Sequence, residues 1–245
     1  MKEKMHKLLK DAMGQNHADV DVITKKLKLP WLKLKINFPS IEETYFKKLQ
    51  TEQDWRKKWQ FQSYEQNSYQ VKGWHGDFLF GPKPFDKFLE EFKTEISKYG
   101  KIDEDCICRT FRNKFKFDWH VDENDFIRQW INQLIPDEDL NIVNTYFLPP
   151  GGYVFPHRDY SHDDLSLAKI YIAARWKEGN EFGVYGCGNI PIKETDVFLI
   201  NNYTLPHWVY NGSNDTRLVI DIGANLNSPK IKKIIEDSFQ KFFCK

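Results

Sequence analysis

Leu148-Pro-Pro-Gly-Gly-Tyr-Val-Phe-Pro-His-Arg-Asp159 joins two extended segments through a tight reversal, and its reading decides the fold. Proline fixes φ and glycine admits the backbone angles that a sharp turn needs. Pro156 restricts Phe155 to extended geometry, so the chain leaves the turn as a strand. Working outward, strand-like runs lie at about 142–149, 153–157, 167–174, 181–186, 196–201, 206–210 and 217–223. Lys-Glu-Gly-Asn and Asn-Gly-Ser-Asn-Asp turns separate two further pairs of them. Short strands with turns at such intervals predict an antiparallel sandwich or barrel.

Upstream the pattern changes. Residues 1–28 are polar, helical in spacing and without a motif. Leu32-Lys-Leu-Lys-Ile-Asn-Phe38 alternates apolar and polar residues, as a half-buried strand does. Ser40-Ile-Glu-Glu has the form of a capping box opening a helix toward Leu49. Phe85, Phe88, Leu89, Phe92 and Ile96 recur at helical spacing within 84–99. Phe126–Ile135 reads as another helix, with Asp122 or Asn124 as its N-cap. No linker or repeat divides the chain, so 1–245 is predicted as one domain. Within it, 1–28 is an N-terminal extension and about 140–225 the β core.

At 245 residues the chain can bury a sizeable core. A net charge of +1 supplies no global field for nucleic acid or an anionic membrane, and neither partner is expected. No run approaches the roughly 20 apolar residues of a membrane span, and a signal-peptide core is lacking, so a cytoplasmic location is expected. Cys106, Cys108, Cys187 and Cys244 are scattered, and Cys106-Ile-Cys108 is spaced more closely than a zinc knuckle. Free thiols are expected.

The chemistry begins at His157 and Asp159, which on a strand point to one face. His207 opens a later strand after Leu205-Pro206. Two imidazoles and one carboxylate form the facial set that holds non-haem Fe(II) with positions open for a co-substrate and O₂. The turn Asn211-Gly-Ser-Asn-Asp-Thr216 folds the strand of Arg217 back beside that of His207. Arg217, Val219 and Asp221 share a strand face, and a guanidinium inside a β core is costly unless an anion pairs with it. That anion is either a bound ligand or Asp221. Arginine grips carboxylates bidentately, so a ligand with a metal-chelating head and a carboxylate tail is called for, and 2-oxoglutarate fits. His120-Val-Asp122 repeats the His-x-Asp pattern but lacks a glycine turn and precedes a helix, so it reads as structural. His162, beside Asp163 and Asp164, reads as a solvated loop residue.

Over roughly 142–223 the chain resembles the aspartyl/asparaginyl β-hydroxylase-like branch of the Fe(II)/2-oxoglutarate-dependent oxygenases. The segments concerned are Leu148–Asp159, Ala168-Lys-Ile-Tyr-Ile-Ala173, Asn201-Asn-Tyr-Thr-Leu-Pro-His-Trp-Val-Tyr-Asn211 and Thr216-Arg-Leu-Val-Ile-Asp221. Weaker echoes occur at Pro30-Trp-Leu-Lys-Leu and Gly73-Trp-His-Gly-Asp-Phe-Leu-Phe-Gly81. The resemblance implies a mainly β fold, a double-stranded β-helix or jelly roll with buttressing N-terminal helices. It implies His157, Asp159 and His207 as ligands of Fe(II), and Arg217 as the grip on 2-oxoglutarate. Lys169 matches a basic residue that helps hold the co-substrate, and Tyr146 would line the same pocket beside Asn144. Trp74, His75 and Arg158 are the expected contacts to the substrate. The implied reaction is hydroxylation of an amino acid, a peptidyl Asp or Asn, or a related small molecule, with release of succinate and CO₂. The enzyme that names the family has Gly where this chain has Asp159, which sets its peptide substrate apart from this chain. A non-catalytic or zinc-binding jelly roll is the alternative, in which Arg217 has no evident purpose.

Overall fold

Alternation of side chains along the strands is resolved in the computed structural model, which describes residues 29–51, 71–88, 90–91, 94, 111, 114–157, 167–201 and 205–243. The strands are β1 (Trp31–Asn37), β2 (Val71–Lys72), β3 (His75–Lys83), β4 (Lys116–Trp119), β5 (Leu140–Leu148) and β6 (Tyr153–His157), followed by β7 (Leu167–Arg175), β8 (Asn180–Val184), β9 (Gly188–Asn189), β10 (Asp196–Ile200), β11 (His207–Asn211) and β12 (Arg217–Asn225). The helices are α1 (Glu43–Thr51), α2 (Phe126–Leu134) and α3 (Pro229–Phe243). One sheet has the order β1-β10-β7-β12-β5-β3-β4 and the other the order β2-β6-β11-β8-β9. All of the strand pairs are antiparallel. From β5 to β12 the chain passes back and forth between the two sheets, and this winding makes a jelly-roll core.

The central strands of the large sheet, β5 and β12 above all, are buried on both faces. Against the helices it turns Ile170 and Ile172 of β7 and Leu218, Ile220 and Ile222 of β12, which join Phe46 of α1, Ile127 and Ile131 of α2, and Ile231, Ile235 and Phe239 of α3. Toward the small sheet it turns Tyr171, Ala173 and Val219, which meet Val154, Phe182, Val184 and Val209. The site lies in this second layer.

The helix ends correct two expectations. α1 begins at Glu43, later than a cap at Ser40 would place it. The N-cap of α2 is Asp125, whose carboxylate accepts from the N–H groups of Ile127 (2.9 Å) and Arg128 (3.2 Å), rather than Asp122 or Asn124. The described residues 85–88, 90–91 and 94 of the segment 84–99 are helical. The expected helical extension 1–28 lies outside the described residues, as do Cys106, Cys108, Cys244 and His162. Cys187 is a free, exposed thiol. Among the described residues no helix is long and apolar enough to cross a membrane.

Candidate metal and carboxylate site

Strands β6 and β11 lie side by side in the small sheet, and their register sets His157 directly opposite His207. The two imidazole centroids are 4.3 Å apart with the rings tilted by 51°. Nδ1 of His157 lies 2.8 Å from the carbonyl oxygen of Phe155. A carbonyl only accepts, so Nδ1 carries the proton and Nε2 of the neutral ring keeps the lone pair that a metal needs. His207 is buried and stacks on Phe182 of β8 at 5.4 Å and 8°. Asp159 and Arg158 lie outside the described residues, and among the described residues no three His, Cys, Asp or Glu side chains come together as a metal-holding group.

Arg217 begins β12 at the opposite end of the inter-sheet layer. The residue is 4% exposed, and its guanidinium stands 4.9 Å over the Trp176 ring and donates from Nη1 to the Glu181 carbonyl at 3.1 Å. Its Nε is buried and has no hydrogen-bond partner among the described residues. Burial pulls its pKa down, while nearby Tyr171 pushes it up. Tyr171 of β7 is in the same position: its hydroxyl is buried without a partner among the described residues. Burial pushes that phenol up to about 12, with Arg217 opposing the rise and Asp221 adding to it. Phe182 bridges the two ends, edge-on to Tyr171 at 5.1 Å and stacked on His207. Two buried donors that leave capacity unused cost free energy unless a ligand accepts from them.

Asp221 does not take up Arg217. It pairs with Lys169 of β7 at 3.2 Å, across the β7–β12 ladder on the inward face. Asn144 lies opposite Asp221 on β5 and donates to the Tyr146 hydroxyl at 3.1 Å. Trp74 stacks on Tyr146 at 4.9 Å and 26°. Gly76 makes this possible, because a Cβ there would come within 2.5 Å of the Tyr146 ring. His75 is placed on the other face of the sheet, where it stacks on Phe147 at 5.3 Å, and so does not share a layer with Trp74. His120 packs edge-on against Phe85, and burial drops its pKa to about 4.

Three turns that cross between the sheets close the Arg217 end, so the strand of Arg217 lies in the sheet opposite that of His207 and not beside it as the Asn211–Thr216 turn suggested. Asn211 accepts from Gly151 N at 2.7 Å, and its own N–H donates to Gly152. Its side-chain amide donates to the carbonyls of Leu148 (2.7 Å) and Asp215 (2.8 Å). Gly212 N donates to Gly179 O at 2.9 Å. The turns β5–β6, β7–β8 and β11–β12 are thus fastened together. Sequence reasoning set Tyr171 on the strand face of Lys169 without giving it a role, and gave Phe182, Trp176 and Asn211 no role at the site.

No protein-family model matches the chain, and no curated protein matches it. Among solved structures it is similar to a prolyl-4-hydroxylase from Pseudomonas putida, with 12% identity and a TM-score of 0.37 over 84% of this chain and 98% of that one. It is also similar to a viral collagen prolyl hydroxylase from Paramecium bursaria Chlorella virus-1, solved as a 2-oxoglutarate complex, with 11% identity and a TM-score of 0.37 over 79% and 94%. A predicted oxalate decarboxylase from Thermotoga maritima matches at 22% identity and a TM-score of 0.28 over 36% and 70%. The chemistry open to this chain is set by its own side chains.

Proposed function

We propose that the chain is an Fe(II)- and 2-oxoglutarate-dependent oxygenase that hydroxylates an amino acid, a peptidyl Asp or Asn, or a related small substrate. The observation that carries this reading is the pair of buried donors, Arg217 Nε and the Tyr171 hydroxyl, in the same layer as the two facing imidazoles. His157, His207 and Asp159 hold the iron. Arg217 and Tyr171 donate to the far carboxylate of 2-oxoglutarate, and that anion offsets the cost of burying the guanidinium. Phe182, Val184, Val154 and Val209 keep water from the layer between the two ends. When bound, iron supplies the redox chemistry by which O₂ and 2-oxoglutarate become succinate, CO₂ and a hydroxyl group on the substrate. A zinc-binding or non-catalytic jelly roll leaves Arg217 and Tyr171 without an anion to bind.

Anaerobic titration with Fe(II) and then 2-oxoglutarate tests the reading. A visible charge-transfer band is expected on addition of the keto acid to the iron-loaded protein. Iron binding with no band, and no succinate released in air, returns the protein to the zinc or non-catalytic class.

A further inference from the structure

The inward face of the large sheet carries a second polar group that the co-substrate pocket does not use. Lys169 and Asp221 form an ion pair at 3.2 Å, with side chains 13% and 5% exposed. A buried ion pair roughly breaks even against well-packed apolar residues, so the fold alone gives little reason for one. The reverse face of the same two strands supports that point: Ile170, Ile172, Ile220 and Ile222 fill it with aliphatic carbon. The pair lies away from the fastened turns. Lys169 stands opposite Gly223, where a Cβ would come within 3.0 Å of Ile142 Cγ2. Asn144 faces Asp221 across the β5–β12 ladder, and Tyr146, with Trp74 stacked on it, walls the next position. Tyr171, the cross-strand neighbour of Asp221, touches Phe182, which stacks on His207. Tyr171 and Phe182 thus link the polar group to the imidazole of His207.

From this placement we infer that Lys169, Asp221 and Asn144 recognise the α-carboxylate and α-ammonium of a free amino acid, making a zwitterion rather than a residue within a peptide the substrate. This inference rests on the proposed oxygenase and names its substrate class. Opposite charges in contact on the protein match opposite charges carried on one carbon of the ligand. Lys169 takes the α-carboxylate. Asp221 takes the α-ammonium, with the Asn144 amide oxygen as a further acceptor, since its NH₂ is spent on Tyr146. A residue inside a peptide has neither charge at its α-carbon and leaves the two side chains to pair only with each other. Lys169 on this assignment serves the substrate and not 2-oxoglutarate.

The test is a thermal-shift screen of the whole protein, without and with Fe(II) and 2-oxoglutarate, against the common free α-amino acids. Each hit is repeated as its Nα-acetyl, carboxamide and 2-hydroxy-acid analogues, and succinate release is read in parallel. At least one free amino acid is expected to raise Tm and stimulate succinate release. Blocking either charge is expected to weaken binding by about thirty-fold or more. Asp221→Asn should bind the 2-hydroxy acid about as well as the amino acid, a loss of discrimination that mere destabilisation does not produce. Because either single change strands a buried charge, the double variant Lys169→Met/Asp221→Leu is made as well; it is expected to fold and to lose amino-acid binding. Blocked or peptide-embedded forms that bind as well as the free ones overturn the inference, as does a failure of every free amino acid. The charge-transfer band reports on the oxygenase reading separately, and the shifts measured without iron still decide the zwitterion site if that band never forms.

Discussion

The two faces of the large sheet at its centre are equally dry and differently made. On β12, Leu218, Ile220 and Ile222 look toward the helices, while Arg217, Val219 and Asp221 look toward the small sheet. Leu218 is 0% exposed and Arg217 4%, so burial does not separate the faces; chemistry does. The helix face gains free energy from every apolar contact, at roughly 25 cal/mol per Å² removed from water. The inward face gives some of that up to keep a guanidinium, a phenol and an ion pair out of water. A sheet that can be filled with aliphatic side chains on one side has no packing reason to hold charges on the other. The polar face is where ligand chemistry belongs.

If that contrast is right, substitutions on the two faces should fail in different ways. The largest effect is expected for Arg217→Ala. Affinity for 2-oxoglutarate should fall by about 2–5 kcal/mol, roughly thirty-fold to several thousand-fold, while thermal stability stays near that of the parent. Calorimetric titration of the metal-loaded protein measures the first and a melt the second; unchanged affinity would remove the carboxylate role. Ile220→Ala should do the reverse. The fold should lose about 3 kcal/mol in urea denaturation with ligand affinity kept, since only a buried aliphatic group is deleted. Equal damage to binding by both variants would show that the faces are not independent.

The smallest effect concerns Tyr171. Its folded pKa is raised to about 12 from an ordinary 10.0, so the native state holds the proton more tightly than the unfolded chain. That contribution to stability is complete below pH 10 and is lost as the pH rises toward 12. In Tyr171→Phe the alkaline limb of the stability profile should be flatter than in the parent. The same variant should weaken 2-oxoglutarate by about tenfold, as the loss of one hydrogen bond to a charged group implies. Superimposable profiles would mean that the phenol ionises freely and is not held in the dry layer.

Apart from the two-residue β9, the strands from β5 to β12 were legible because alternation and turn chemistry repeat through them. β3 and β4 were not. Gly76, Gly81 and Pro82 interrupt the pattern of β3, and β4 is too short for alternation to register. α3 also went unread, although Ser228-Pro229 and the spacing of Ile231, Ile235 and Phe239 carry a helix signal. Near the site, sequence placed Arg217 and Asp221 on one face. It could not show that Asp221 joins Lys169, because that contact depends on the register between β7 and β12. His75 was grouped with Trp74, yet adjacent residues in extended backbone point to opposite faces, and only Trp74 turns inward.

Asn211 has a consequence for how such a chain can change over time. Its side chain and backbone rivet the β5–β6 and β11–β12 turns, and Gly212 ties in the β7–β8 turn. An added residue in 149–152 or 212–216 would pull those bonds out of register and loosen the floor beneath Arg217. The connections at the other end, 158–166 and 201–206, leave from the histidine-bearing ends of β6 and β11. Beyond Asp159, which the proposed function sets on the iron, length and composition can drift there while the anchoring end stays the same. One end of the barrel is therefore conservative by construction, and the other is free to be rebuilt around a new molecule.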